Sequence, residues 1–68
     1  MKFYELTDAI TDKKVLINFE KVFRVSDHFV FKKGKKIPAI LVEFVRQDDF
    51  VTVKETYETI KDIIERAQ

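Results

Sequence analysis

The sequence contains no cysteine, and it has only one histidine, one glycine and one proline. The lack of cysteine excludes disulfide bonds, and a single histidine leaves no ligand set for a structural zinc ion. One glycine is too few for the glycine-rich loops that hold phosphate groups. We therefore expect neither a metal nor a cofactor in this chain.

A strong charge imbalance and long apolar runs are also missing. The 13 basic and 12 acidic side chains give a net charge of +1, which argues against a domain that binds polyanions over its whole surface. No apolar run is long enough to cross a bilayer, and residues 1–5 alternate like a strand instead of forming the core of a secretory signal. These features predict a cytoplasmic chain with no membrane partner.

The chain is nevertheless rich in side chains that build a core. Its 68 residues leave room for one domain, residues 1–68, and 46% of them are apolar, including seven phenylalanines and two tyrosines. A disordered chain would be poorer in such residues. A folded domain this small is only marginally stable, and without disulfides or a metal the remaining common source of stability is oligomerisation. We therefore expect a homo-oligomer.

Apolar alternation and β-branched residues predict five to six short antiparallel strands, with a turn at Ser26-Asp27 and a hairpin tip at Lys33-Gly34-Lys35. Pro38 lacks a backbone donor, so it should lie at a strand's start or on an edge. The predicted strands are residues 2–7, 14–19, 22–25, 28–33, 37–46 and 50–53.

The C-terminal segment has the period of an amphipathic helix that begins after a capping threonine, Thr56. One apolar stripe is formed by Tyr57, Ile60, Ile63, Ile64 and Ala67. This stripe must be buried against the sheet, because nothing else in the chain can cover it. The sequence thus predicts an α+β fold, with a small twisted antiparallel sheet, open or curled into a barrel, followed by one C-terminal helix.

The strand predicted at 37–46 is largely apolar on both faces. Ile40, Val42 and Phe44 would share one face. The opposite face would carry Leu41 and Val45 around Glu43. Because a single helix covers only one face, the second needs another subunit or a curled sheet. Leu41, Glu43 and Val45 are therefore candidate interface residues.

Residue types that could support catalysis are few. Ser26, Asp27 and His28 are consecutive, and in an extended chain the middle side chain points away from the other two. A catalytic triad is defined by geometry that this spacing does not provide. The sequence therefore predicts a protein that is not an enzyme.

The only concentrated charge lies at the predicted hairpin tip, close to Phe29 and Phe31. Such lysines could contact phosphates while an aromatic ring stacks on a base. They could instead be the charged tip that keeps a sheet edge in solution, and the small net charge favours this second interpretation. The candidate nucleic-acid contacts are Lys32, Lys33, Lys35 and Lys36.

Most of the phenylalanines are expected in the core, because so short a chain needs large apolar side chains there. Exposure of two or three of them together would instead favour base stacking or an interface. The six in question are Phe19, Phe23, Phe29, Phe31, Phe44 and Phe50.

The two ends of the chain resemble a known family. The segment 13–18, K-K-V-L-I-N, is similar to the opening of the flagellar FlbD family and related small bacterial and phage-type proteins. The segment 51–60, V-T-V-K-E-T-Y-E-T-I, is similar to that family's closing strand, turn and helix. The pattern also resembles a half-unit of LytTR-type DNA-binding domains. The resemblance implies a sheet-plus-helix module that acts by binding, and it brings no catalytic residues.

The leading hypothesis is therefore a non-enzymatic interaction module that self-associates and binds a protein partner. The alternative is a small nucleic-acid-binding regulator that uses the basic hairpin at residues 32–36.

Overall fold

The computed structural model describes residues 2–46 and 48–67. Strands β1 and β2 form a two-stranded antiparallel sheet, and β3, β4 and β5 form a three-stranded antiparallel sheet in that order. The α+β class and the C-terminal helix are confirmed. The elements are β1 (Phe3–Thr7), β2 (Lys14–Asn18), β3 (Val22–Lys32), β4 (Lys35–Phe44), β5 (Phe50–Val53) and α1 (Tyr57–Ala67).

The two sheets are joined where β1 ends beside the end of β5. Asp8 forms a single antiparallel bridge with Val53. The amide of Ala9 donates to the carbonyl of Thr52 over 2.8 Å. Across residues 2–46 and 48–67 the strands do not close into a barrel. Of the two sheet shapes left open by the sequence, the open sheet is observed.

Strand β3 runs without interruption through Ser26 and Asp27, so the turn predicted there is wrong. Ser26 pairs with Leu41 and Asp27 pairs with Ile40. The local preference of Ser-Asp for turns is overridden because β4 is long enough to give both residues a backbone partner. The predicted third and fourth strands are therefore one strand of 11 residues.

The predicted hairpin tip is present as a two-residue turn between β3 and β4. Lys33 and Gly34 both have positive φ angles, 52° and 76°. This is the requirement of a type I′ turn, whose twist matches that of the flanking strands. Pro38 lies in the part of β4 that precedes its pairing with β5, where the missing amide donor breaks no bond to β5.

Helix α1 begins as predicted after Thr56, whose hydroxyl accepts a hydrogen bond from the amide of Thr59 over 3.2 Å. Ile60 is fully buried in the core between α1 and the sheets. Ile63 and Ile64 are half-buried beside it, whereas Tyr57 is exposed. The side chain of Ala67, the last residue of the predicted stripe, lies outside the described part.

The core contains no phenylalanine, so the expectation that most of these residues are buried is wrong. Phe19 and Phe44 are half-buried at the edge of the core, and the other five are exposed. The layer between helix and sheet is filled by aliphatic side chains instead. The main core consists of Leu6, Ile17, Ile40, Val42, Val53 and Ile60.

Candidate functional site

The β3–β4 hairpin carries one continuous face from the core to an exposed tip. Val25 lies on this face beside α1, with its half-buried side chain against the core. Asp27, Phe29 and Phe31 follow on the same face, because every second residue of a strand points the same way. Phe29 is 37% exposed and Phe31 is 68% exposed. Two aromatic rings therefore meet solvent next to the lysine-rich turn.

The two rings of the tip form a defined aromatic arrangement. Their centroids are 5.4 Å apart and their planes stand at 86°, an edge-to-face contact. The ring of His28 stacks on that of Phe29, with centroids 5.3 Å apart. The Nζ of Lys36 lies 4.3 Å from the centroid of the Phe29 ring, within the range of a cation–π contact. We call Phe29, Phe31, Lys33, Lys35 and Lys36 the tip surface.

The four predicted lysines are not equivalent. Lys36 pairs with Phe31 across the strands and so shares the aromatic face. Lys33 and Lys35 are exposed at the turn, and neither forms an ion pair with another residue of the described part. Lys32 behaves differently, because its Nζ lies 2.6 Å from Oδ2 of Asp12. Lys32 therefore anchors the hairpin to the loop before β2.

Asp12 joins two lysines from different parts of the chain. Besides Lys32, it receives the Nζ of Lys54, 3.0 Å from Oδ1. The hydrogen bond from Lys32, and then the one from Lys54, lowers the pKa of the Asp12 carboxyl. This carboxylate holds the hairpin against the segment that follows β5.

A shallow cleft of about 430 Å³ lies beside the tip surface. Phe29, Lys36 and Pro38 form its walls together with His28. Asp27 is the one acidic side chain in the lining. The size and the aromatic wall suit a planar ring with hydrogen-bonding edges.

The opposite end of the molecule has a second exposed surface, which is apolar. A cleft of about 490 Å³ separates the β1–β2 hairpin from the end of β4. Phe3 and Leu16 line one side and Val45 the other, with Lys21, Arg46 and Asp49 around them. The side chains of Phe3 and Leu16 point outward because the alternate positions of β1 and β2 face the core.

This apolar surface continues around Val45 to two more phenylalanines. Phe23 and Phe50 line a neighbouring depression that shares Val45 with the first cleft. Phe23 lies where the β3–β4 register shifts, between Val22 and Arg24. We call the set Phe3, Leu16, Phe23, Val45 and Phe50 the apolar end, and its side chains are 47–69% exposed.

The three predicted interface residues have three different environments. Leu41 is half-buried in β4. Glu43 forms a two-pronged ion pair with Arg24, at 2.6 Å and 3.2 Å, and this contact lowers the pKa of the Glu43 carboxyl. Of the three, only Val45 is exposed, and it belongs to the apolar end defined above. The second face of β4 thus carries a half-buried leucine, an ion-paired glutamate and an exposed valine.

Sequence reasoning missed most of the apolar end. Phe3 and Leu16 stand at outward positions of β1 and β2, and this alternation could have been read from the sequence. Phe50 lies opposite Glu43, so it shares the solvent-facing side of the sheet. Phe23 could not have been found, because its outward position depends on an irregularity of pairing that leaves no sequence signal.

The described residues also bear on metals and membranes. No three histidine or acidic side chains of residues 2–46 and 48–67 come together as a metal-ligand set. In the same residues, no helix has both the length and the apolar character that crossing a membrane demands.

Comparison with known proteins adds no family at this point. The chain has no significant match among family models, curated proteins or solved structures. The resemblance to the FlbD family and to LytTR-type half-units stays a prediction.

Proposed function

We propose that this chain is a non-enzymatic interaction module that self-associates through the apolar end. One observation carries the proposal: five large apolar side chains are exposed together at one end of a 68-residue chain. Single exposed apolar residues are ordinary, but a contiguous group around two connected depressions is typical of a protein interface. Association would bury side chains that the small core leaves uncovered.

The occupant that fits this surface best is a second copy of the same chain. The residues around the larger cleft carry both signs of charge, with Lys21 and Arg46 beside Asp49. A two-fold interface places each patch against itself, so a rim with both signs can pair its acids with its bases. A rim of a single sign would repel its own copy.

The edge of the larger sheet supports the same partner. β3 pairs only with β4 among the described strands, so its other side presents unpaired backbone donors and acceptors. This edge begins beside Phe23 of the apolar end. A second copy could add a strand at this edge while its apolar end packs against the apolar end of the first copy.

The test is sedimentation of the purified chain over a wide concentration range. We expect the wild type to form dimers or larger assemblies. The double variant Phe23→Asp, Phe50→Asp should remain monomeric, because losing one buried aromatic contact typically costs about 2 kcal/mol, or roughly 30-fold in dissociation constant.

Ile10→Asp is the matched control, because Ile10 is also exposed and apolar but lies outside the apolar end. It should associate like the wild type. A wild type that stays monomeric up to about millimolar concentration, where contacts of only about 4 kcal/mol would show, overturns the proposal. Equal loss of association in Ile10→Asp would overturn the assignment to the apolar end.

A further inference from the structure

We propose that the tip surface binds single-stranded nucleic acid, with bases stacking on Phe29 and Phe31 and phosphates contacting Lys33, Lys35 and Lys36. This activity goes beyond self-association, and it uses residues at the other end of the molecule. The inference rests on the arrangement of rings and charges at the tip.

Phe31 offers the more open stacking surface of the two rings, because the Phe29 ring already contacts His28 and the Nζ of Lys36. Phe31 is 68% exposed, and Phe29 lies 5.4 Å from it at 86°. A base stacked on Phe31 would therefore lie beside the Phe29 ring, and the cleft beside Phe29 can receive a neighbouring base. Aromatic rings on a sheet surface are a common platform for unpaired bases.

The charged residues of the tip surface are all lysines, and Asp27 is the one acid that lines the cleft beside it. Lys33, Lys35 and Lys36 lie within four residues, and the nearby Asp12 is already occupied by Lys32 and Lys54. Three ammonium groups are thus available to phosphates next to the rings. This differs from the mixed charges of the apolar end, and it explains how a chain with a net charge of +1 can still attract a polyanion locally.

A single strand fits the tip better than a duplex does. In a duplex the faces of the bases are covered by their neighbours, so Phe29 and Phe31 could make no stacking contact. The turn between β3 and β4 has only two residues, and contacts from its lysines to phosphates would carry no direct sequence information. We therefore expect little preference for base sequence.

The experiment is a fluorescence anisotropy titration with labelled oligothymidine and oligouridine of about 10 nucleotides, a length within known site sizes. It is run at two salt concentrations. The competitors are unlabelled duplex DNA and heparin, which supplies negative charge without bases. We expect binding that weakens as the salt concentration rises. Duplex DNA and heparin should displace the labelled strand less effectively than unlabelled single strand does.

Two variants of one ring separate stacking from simple apolar contact. Phe31→Leu should weaken binding roughly 5- to 100-fold, because the ring face is lost. Phe31→Tyr keeps the ring, so its dissociation constant for the oligonucleotide should lie within about twofold of the wild-type value. Both variants change an exposed side chain, so circular dichroism should show an unchanged fold.

A pair of lysine variants tests the phosphate contacts. Lys35→Gln should reduce the slope of log affinity against log salt by about 0.7, the value for one phosphate contact to a single strand. Lys61→Gln removes the same charge from the exposed face of α1 and should leave the slope unchanged. Equal effects of the two variants would overturn the placement of phosphates at the tip.

Three results would overturn the proposal as a whole. They are no binding at low salt, equal affinity of Phe31→Leu and wild type, and equal displacement by heparin and single strand. The monomeric variant Phe23→Asp, Phe50→Asp is titrated in parallel. Its binding per chain should persist, so failure of self-association and failure of nucleic-acid binding are distinguishable.

Discussion

One face runs along both halves of the β3–β4 hairpin, but it is buried in one half and exposed in the other. In the half near Val25 and Val42, α1 and the β1–β2 hairpin cover the face, and Val42 is completely buried. In the half near Phe29 and Phe31, the same face is open to solvent. Alternation along the strand therefore decides which side chains share a face, but not which part of the face is covered.

The difference follows from the lengths of the elements. An α-helix rises about 1.5 Å per residue, so the 11 residues of α1 span roughly 16 Å. A strand rises about 3.3 Å per residue, so the 11 residues of β3 span roughly 36 Å. The helix can cover only about half of the strand. The uncovered half is where the proposed nucleic-acid surface lies.

The largest effect is expected in the covered half. Ile60→Ala should lower the free energy of unfolding by about 2–5 kcal/mol, because Ile60 is fully buried and its truncation leaves a cavity. In so small a domain this loss could prevent folding. Phe31→Ala, in the open half, should change the free energy of unfolding by no more than about 0.5 kcal/mol. Urea denaturation monitored by circular dichroism measures both, and similar losses in the two variants would contradict the comparison.

A smaller effect is expected at the turn that closes the open half. Gly34→Ala places a Cβ at a φ of 76°, where open space surrounds it, so the cost is that of the backbone conformation alone. We expect a loss of about 1–2 kcal/mol in the free energy of unfolding. Urea denaturation again gives the value. A neutral result would mean that the turn changes its conformation, which nuclear Overhauser contacts between Lys32 and Lys35 would reveal.

The smallest effect concerns pH and the contact that anchors the tip. Ion pairing with Lys32 and Lys54 lowers the pKa of Asp12 in the folded state. A lowered folded-state pKa stabilises the fold above the unfolded pKa, and this contribution is lost as pH falls through the folded value. We therefore expect this contribution to be present above the ordinary aspartate pKa of 3.8 and to be lost as the pH falls below that value.

The control for this pH dependence is Asp12→Asn, which should show a smaller loss over the same range. The ion pair of Glu43 with Arg24 titrates in the same direction, so some loss should remain. An identical pH profile in wild type and Asp12→Asn, measured by urea midpoints, would show that the Asp12 contacts contribute nothing to stability.

Several features could be predicted because they depend on neighbours in the chain. Thr56 and the spacing of Ile60, Ile63 and Ile64 specify the helix and its buried side. Gly34 marks the tight turn between two extended segments. The lysines of the tip could be located in the same way, because a hairpin turn and its charges lie in one short segment.

Other features could not be predicted because they depend on distant partners. Ser26 and Asp27 favour a turn on their own, and only pairing with Leu41 and Ile40 keeps them in β3. Lys32 differs from the other lysines of the hairpin because it is ion-paired with Asp12, which lies 20 residues away in the sequence. The ion pair of Glu43 could not be predicted either, because its partner Arg24 is brought opposite it only by the pairing of β3 with β4.

By itself, then, the sequence determined an α+β chain with a C-terminal helix and a lysine-bearing hairpin. Only the tertiary structure decided where the phenylalanines lie. Periodicity assigns a side chain to a face, but burial depends on which element reaches that part of the face. Here the helix is shorter than β3 and β4, and so Phe29 and Phe31 remain in solvent beside the lysines.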